Sequence, residues 1–230
     1  TLRFEPIDDH RVRYGLGAIK GTGQSAIEAI VQAREQGGPF TSIFDFCSRV
    51  DRSRINERTV EALIKAGAFD ALNLNRAEML ASVDVAFEYA AATQANANQG
   101  GLFDMLGGDD HGSSTQEPAY EATVPWGVKE RLTYEKSAIG FYFSGHLFDE
   151  VEREVRRFAR TPLADVKESR DPVILAGIVS DFRVINGQRG KLAFLKLEDK
   201  SSSLEVSVDE NLTNLHRSLL KDDELVIVQA

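Results

Sequence analysis

The chain has 230 residues and a formal net charge of -9 at pH 7, a length that allows one large domain or two smaller ones with separate cores. No apolar run approaches the ~20 residues that span a bilayer, and no signal peptide is visible, so we expect no membrane partner. A single cysteine, Cys47, excludes an internal disulfide framework and is typical of a cytoplasmic protein.

The negative charge at first argues against a nucleic-acid partner, but the acidity is concentrated in the middle of the chain. Residues 1–70 carry 10 basic and 10 acidic side chains and are therefore balanced. A domain that binds phosphates through backbone N–H groups needs no strong positive field. Nucleic-acid binding by the first part of the chain is therefore not excluded.

Residues 1–92 are predicted to be mostly helical. Apolar residues repeat at i, i+3 and i+4 in two stretches, Ile27–Val31 and Val60–Ile64. A further helix is predicted to begin at Asn75, with Glu78 as its capping-box partner, and to continue to Ala91.

Residues 93–125 are polar, rich in glycine and without periodicity, so they predict a flexible linker. One apolar island, Leu102–Leu106, interrupts it. Residues 126–171 return to helix-and-turn character and predict a helical connector, with helices near Lys129–Lys136 and Asp149–Phe158.

The apolar period changes to two in residues 172–230. Three predicted strands, a short helix and a fourth strand follow in the order of an OB barrel, whose fifth strand is missing. The predicted fold class is therefore α+β. Because the chain starts at Thr1 and stops straight after an apolar strand, we expect it to be a piece of a longer protein.

The strongest local motif spans residues 19–26, which we call the first hairpin. Two glycines, Gly21 and Gly23, permit a tight turn with positive φ, and the N–H groups at the start of the following helix can bind a phosphate with help from the helix dipole. The predicted DNA-binding residues are Gly21, Thr22, Gly23, Gln24 and Ser25. An ordinary glycine-rich turn between helices remains an alternative.

A second candidate, residues 63–70, has one glycine instead of two, and we call it the second hairpin. Paired hairpins of this kind grip both strands of a duplex, so Ala66, Gly67 and Ala68 are also predicted to bind DNA. Taken alone, Gly67 is most simply the residue that ends a helix.

Four segments of the sequence carry a specific resemblance. They are YGLGAIKGTGQSAIEAIVQAREQGGPFTSIFDFCSRVD, VEALIKAGAFDAL, EKSAIGFYFSGHLFDE and RGKLAFLKLEDKSSSLEVSV. In this order they resemble the C-terminal region of the alpha subunit of bacterial DNA polymerase III. The resemblance implies tandem helix-hairpin-helix units followed by an OB domain. No segment matches the catalytic aspartates of that family, so it implies no active site here, and magnesium belongs to the parent polymerase.

The resemblance also gives the apolar island a role. Gln99, Leu102 and Phe103 fit the Q-x-x-L-F pattern by which this family docks on the ring-shaped sliding clamp. A Leu/Phe pair can enter a hydrophobic pocket while the Gln side chain bonds its rim. The alternative is that Leu102 and Phe103 merely attach the linker to the domain surface.

In the OB region, Arg183, Arg189 and Lys191 are predicted to face single-stranded template DNA, although alternation turns about half of such positions toward the core. The four histidines are scattered without the spacing of metal ligands, so no metal site and no cofactor are expected in this segment.

The predicted function is non-catalytic: holding duplex DNA by its backbone and docking on the sliding clamp, beside other replicase subunits, in a DNA-directed DNA polymerase. Two alternatives remain: an error-prone relative of that polymerase, and a helix-hairpin-helix and OB module of a DNA repair enzyme.

Overall fold

The computed structural model describes residues 1–72, 75–104, 116–187 and 190–230, without the side chains of 97–104, 187 and 190. The chain divides into two compact units, Thr1–Tyr142 and Phe143–Ala230. Each unit has its own hydrophobic core.

The first unit is helical. Two short antiparallel strands, β1 (Glu5–Pro6) and β2 (Val12–Arg13), precede a series of helices. The helices are α1 (Gln24–Gly37), α2 (Ile43–Arg49), α3 (Glu57–Lys65), α4 (Arg76–Ala81), α5 (Val83–Asp104) and α6 (Val128–Ile139). The apolar stripes predicted from the sequence lie inward: Ile27, Ile30, Val60 and Leu63 are all buried.

Cys47 lies on α2 with no exposed surface, as its apolar neighbours predict. Desolvation by burial raises the pKa of its thiol to about 12. A thiol that stays protonated at neutral pH is a poor nucleophile. Cys47 is therefore part of the core.

The predicted helix from Asn75 to Ala91 is interrupted at Ser82. Asn75 does cap the helix start, but its side chain accepts a hydrogen bond from Ala77 N–H, 2.9 Å away, instead of forming a box with Glu78. The Ser82 hydroxyl donates to the Glu78 carbonyl and accepts from the N–H of Glu121, so a distant segment is bound at the break between α4 and α5.

The structure differs from the predicted flexible linker, 93–125, at both ends of that range. Helix α5 continues to Asp104, past the expected boundary at residue 92. After the undescribed residues, the chain lies along the helical unit: the Tyr120 hydroxyl accepts a hydrogen bond from Ile43 N–H, and its ring lies 5.0 Å from that of Phe44. Glu117 accepts a hydrogen bond from Ser42. The polar composition of residues 93–125 did not indicate these contacts, because each of them joins residues far apart in sequence.

The expected connector, 126–171, is not a separate body. Helix α6 belongs to the first unit, and residues 143–171 belong to the second. There a 3₁₀ turn and the short helix α7 (Glu152–Val155) replace the longer helix predicted over Asp149–Phe158.

The second unit is built on an antiparallel sheet. Its strands are β3 (Ile174–Gly187), β4 (Gly190–Glu198), β5 (Ser203–Asp209) and β6 (Leu225–Gln229), and helix α8 (Glu210–Leu215) follows β5. The sheet order is β5-β4-β3-β6, with a register shift between Val179 and Asp181. This curled sheet is consistent with an OB-like fold, so the predicted α+β class is confirmed.

The carboxylate of Asp199, directly after β4, connects the sheet to residues that precede β3. Asp199 has a fully buried side chain, 2.9 Å from the guanidinium of Arg156, and accepts hydrogen bonds from Leu163 N–H and the Ser201 hydroxyl. Burial alone would raise the pKa of Asp199, but the hydrogen bonds and Arg156 outweigh it and hold the pKa well below its usual range.

Candidate nucleic-acid interface

The first hairpin has the geometry of a turn that ends in a helix start. Gly21 has a φ of +87°, a conformation that favours glycine, whereas Gly23 has an ordinary φ of -82° and is the N-cap of α1. The prediction that both glycines serve a positive φ is therefore wrong for Gly23. A Cβ at Gly23 would meet no atom within 4 Å, so this position is open.

The first turn of α1 leaves its backbone donors unused. The first intrahelical bond is donated by Ile27 N–H to the Gly23 carbonyl, 3.2 Å away. In the described part of the chain, no side chain caps this helix and no acceptor pairs with the N–H groups of Gln24 and Ser25. Both residues are exposed. A phosphate oxygen is the acceptor that such a helix start favours.

Two predicted side chains of the first hairpin have structural partners instead. The Thr22 hydroxyl donates to the carbonyls of Leu16 and Ile19, at 3.1 and 2.7 Å, and thereby holds the turn together. The Gln24 amide donates to Glu28 at 2.7 Å. The backbone N–H of Thr22 also donates to the Ile19 carbonyl, at 3.3 Å, so of these two residues only Gln24 has a backbone N–H left for a phosphate.

The second hairpin has the opposite arrangement. Gly67 has a φ of +78° and follows the C-cap of α3, Ala66. Its N–H donates to the Ile64 carbonyl and the N–H of Ala68 to the Leu63 carbonyl, each at 2.9 Å, while Ala66 N–H donates to Ala62. These bonds form a Schellman motif. Ala66, Gly67 and Ala68 therefore offer no free amide to a phosphate, because all three N–H groups complete the end of α3, and their predicted DNA-binding role stays a prediction.

Gly67 also makes room for a buried ion network. A Cβ there would collide with the Arg76 guanidinium. Arg76, which is 8% exposed, donates to Asp70 at 2.7 Å and to the fully buried Glu135 of α6 at 2.8 Å. Burial alone would lower the pKa of Arg76, but its hydrogen bonds to the two carboxylates raise it above its ordinary value.

Helix α6 links the two hairpins. Its Glu135 contacts Arg76 beside the second hairpin, and three residues later the Ala138 carbonyl accepts the N–H of Lys20 at 2.7 Å. The first hairpin is therefore held from both sides, by α6 and by α3, since a Cβ at Gly21 would lie 3.8 Å from the Cβ of Ala62. No sequence pattern indicated the pairing of Arg76 with Glu135, because the two residues are 59 positions apart.

Comparison with known proteins bears on this geometry. Residues 1–79 match the family model described as a helix-hairpin-helix motif. The whole chain is similar to DNA polymerase III alpha subunits: 45% identical over 229 residues to that of Neisseria meningitidis serogroup B, 41% over 245 to that of Pseudomonas aeruginosa and 35% over 229 to that of Escherichia coli K12. These matches cover 98–99% of this chain and 19–21% of the relatives.

The predicted resemblance to DNA polymerase III alpha subunits is confirmed. The chain spans about one fifth of the length of these relatives. The chain is therefore similar to a segment of these alpha subunits, with a helix-hairpin-helix motif in residues 1–79 and an OB-like sheet after it.

The predicted clamp-docking residues of this chain fall at the end of α5. The backbone is helical to Asp104, but the side chains of Gln99, Leu102 and Phe103 lie outside the described residues. Their role stays a prediction.

On the sheet unit, one of the three predicted basic side chains, that of Arg183, has an ion-pair partner. Arg183 pairs with Glu205 and lies 5.8 Å from the ring centroid of Phe194, and the backbone N–H of the exposed Lys191 donates to Glu210 at 3.2 Å. Arg189 lies outside the described residues. A role of these residues in single-strand binding also stays a prediction.

Within the described ranges, no three or more His, Cys, Asp or Glu side chains are grouped so that they could hold a metal ion. No described helix is both long and apolar enough to cross a bilayer.

Proposed function

We propose that this chain is a non-catalytic segment of a DNA-directed DNA polymerase that holds duplex DNA through the first hairpin. The observation that carries the proposal is the uncapped start of α1, where the exposed Gln24 and Ser25 offer N–H groups next to a glycine turn. The match of residues 1–79 to a helix-hairpin-helix model supports it. The relatives' names, DNA polymerase III subunit alpha, support a polymerase as the setting. The proposal adds that this polymerase works in the cytoplasm and binds magnesium elsewhere in the parent protein.

The hydrogen bonds of the two hairpins support different roles for them. The first hairpin contacts phosphate, and the second, whose amides are satisfied, fixes the helices around it. Phosphate contacts carry no base information, so binding depends on salt and is indifferent to sequence.

The test compares two glycines at opposite ends of α1. Gly21 and the half-buried C-cap residue Gly38 both have a positive φ, +87° and +77°, so Gly21→Val and Gly38→Val each force valine into a conformation that favours glycine. We expect Gly21→Val to weaken duplex binding at least tenfold in a low-salt fluorescence-anisotropy titration, and Gly38→Val to leave it unchanged. Equal binding by the two variants and the unaltered chain would exclude the first hairpin as the DNA site.

We also propose that Gln99, Leu102 and Phe103 dock on a sliding clamp and so confer processivity. Burying a Leu and a Phe contributes about 1.5–3 kcal/mol each, and ordering the backbone offsets part of this. A micromolar dissociation constant, about -8 kcal/mol, is therefore expected. Docking keeps the enzyme close to a released primer end and favours its recapture.

Calorimetry with purified clamp tests this part. Leu102→Ala with Phe103→Ala should abolish clamp binding and leave duplex binding intact. The control removes the same side-chain types from exposed positions of the second unit, Leu215→Ala with Phe158→Ala. If the first pair binds the clamp as tightly as the control pair, the segment is not the clamp site.

A further inference from the structure

A groove of about 720 Å³ lies where α3 begins, beside α5. Its lining includes Arg52, Asn56, Glu57, Arg58, Phe87 and Gln94. Two arginines against one glutamate give it a net positive lining, although the chain as a whole is acidic.

The arginines of this region fall into two kinds. Arg49 and Arg54 have carboxylate partners, Asp45 at 2.9 Å and Asp51 at 3.6 Å. Arg52 and Arg58 are exposed and form no ion pair with any residue in the described part of the chain. The two arginines that line the groove are therefore the two whose charge is not neutralised by an ion pair.

The aromatic ring in the groove orients one of them. The Arg52 guanidinium lies 6.0 Å from the centroid of the Phe87 ring. A guanidinium placed over a ring loses less freedom when it binds an anion, and its planar fork still matches two phosphate oxygens.

The groove lies next to the first hairpin. Ala62, whose Cβ would be 3.8 Å from a Cβ at Gly21, is one helical turn after Arg58 on α3. Four residues of helix rise about 6 Å, whereas successive nucleotides of one strand rise about 3.4 Å. Arg58 therefore lies about 6 Å along α3 from the residue that faces Gly21, a separation of about two nucleotides of one strand.

We propose that the groove lined by Arg52 and Arg58 binds the sugar–phosphate backbone of the same duplex that the first hairpin holds. Each guanidinium donates two hydrogen bonds to phosphate oxygens. Glu57 opposes the phosphates and limits the affinity. This inference rests on the proposed DNA-holding function and extends the contact from backbone amides to two charged side chains.

The test is a salt titration of duplex binding by the 230-residue chain and its variants. Arg52→Gln and Arg58→Gln should each reduce the magnitude of the slope of log affinity against log salt by about 0.9, and reduce low-salt affinity about three- to tenfold. The control, Arg34→Gln, removes the same charge from an exposed site in the last turn of α1 and should leave the slope unchanged. Glu57→Gln should increase the affinity.

The outcomes distinguish DNA binding by the groove from DNA binding by the first hairpin. Unchanged slopes for Arg52→Gln and Arg58→Gln, together with weakened binding by Gly21→Val, overturn the groove and leave the proposed function standing. Reduced slopes with full binding by Gly21→Val keep the groove and overturn the hairpin. A polyglutamate peptide that competes as well as a DNA duplex of equal charge would show that the groove takes acidic peptides, which also overturns the inference.

Discussion

Each of the two hairpins contains a glycine with a positive φ, yet their hydrogen bonds differ completely. Gly21, at φ +87°, leads into a helix whose first amides are open, and Gly67, at φ +78°, closes a helix whose last carbonyls are occupied. A positive φ alone therefore says nothing about ligand binding. What decides it is whether the glycine precedes a helix start, which leaves donors unpaired, or follows a helix end, where its own N–H is used.

The comparison predicts that the strongest effect on stability lies beside the second hairpin. Glu135→Ala removes a buried partner of Arg76, and breaking such a pair costs about 3–5 kcal/mol. Because Asp70 still pairs with Arg76, we expect about 3 kcal/mol from urea denaturation of the chain.

Glu130, an exposed residue on the same helix, provides the control. Glu130→Ala should change the free energy of unfolding by less than about 0.5 kcal/mol. Hydrogen exchange adds a local measurement: the Lys20 amide, which donates to α6, should lose protection in Glu135→Ala and keep it in Glu130→Ala. Equal protection in both would mean that α6 does not fix the first hairpin.

The next prediction replaces one glycine of each hairpin by alanine. Gly67→Ala forces a positive φ on alanine and displaces Arg76, so we expect a loss of about 2 kcal/mol. Gly23→Ala meets no atom and has an ordinary φ, so its cost should stay below about 1 kcal/mol, the range of a helix N-cap change. Thermal unfolding of both variants measures the difference, and a reversed order would contradict the assignment of the second hairpin as the structural one.

The smallest expected effect concerns Thr22. Thr22→Val removes a hydroxyl that donates to two carbonyls, at a cost of about 1 kcal/mol. Duplex affinity should not change, because that hydroxyl points into the turn. A large loss of DNA binding with unchanged stability would instead place the hydroxyl on the phosphate.

The sequence predicted the first hairpin and the strands of the second unit because both signals are local. Glycines before an apolar stripe mark a helix start, and alternation marks strands such as β5, whose residues alternate between exposed and half-buried. It did not predict the Arg76–Glu135 pair or the attachment of Tyr120 to Ile43, which join residues 59 and 77 positions apart. Single-sequence patterns carry no information on such distant pairs. The apolar stripe around Ala91 also did not show that α5 continues to Asp104.

The continuation of α5 gives the proposed clamp contact a direction as well as a distance. Its 22 residues rise about 33 Å, and each residue turns the helix by about 100°. Inserting a single residue after Asn96, in the exposed part of the helix, would therefore rotate a clamp held at its end by more than a quarter turn, while lengthening the reach by only about 1.5 Å. With this geometry, the number of residues in α5 would determine the direction in which a clamp bound at its end faces relative to the duplex.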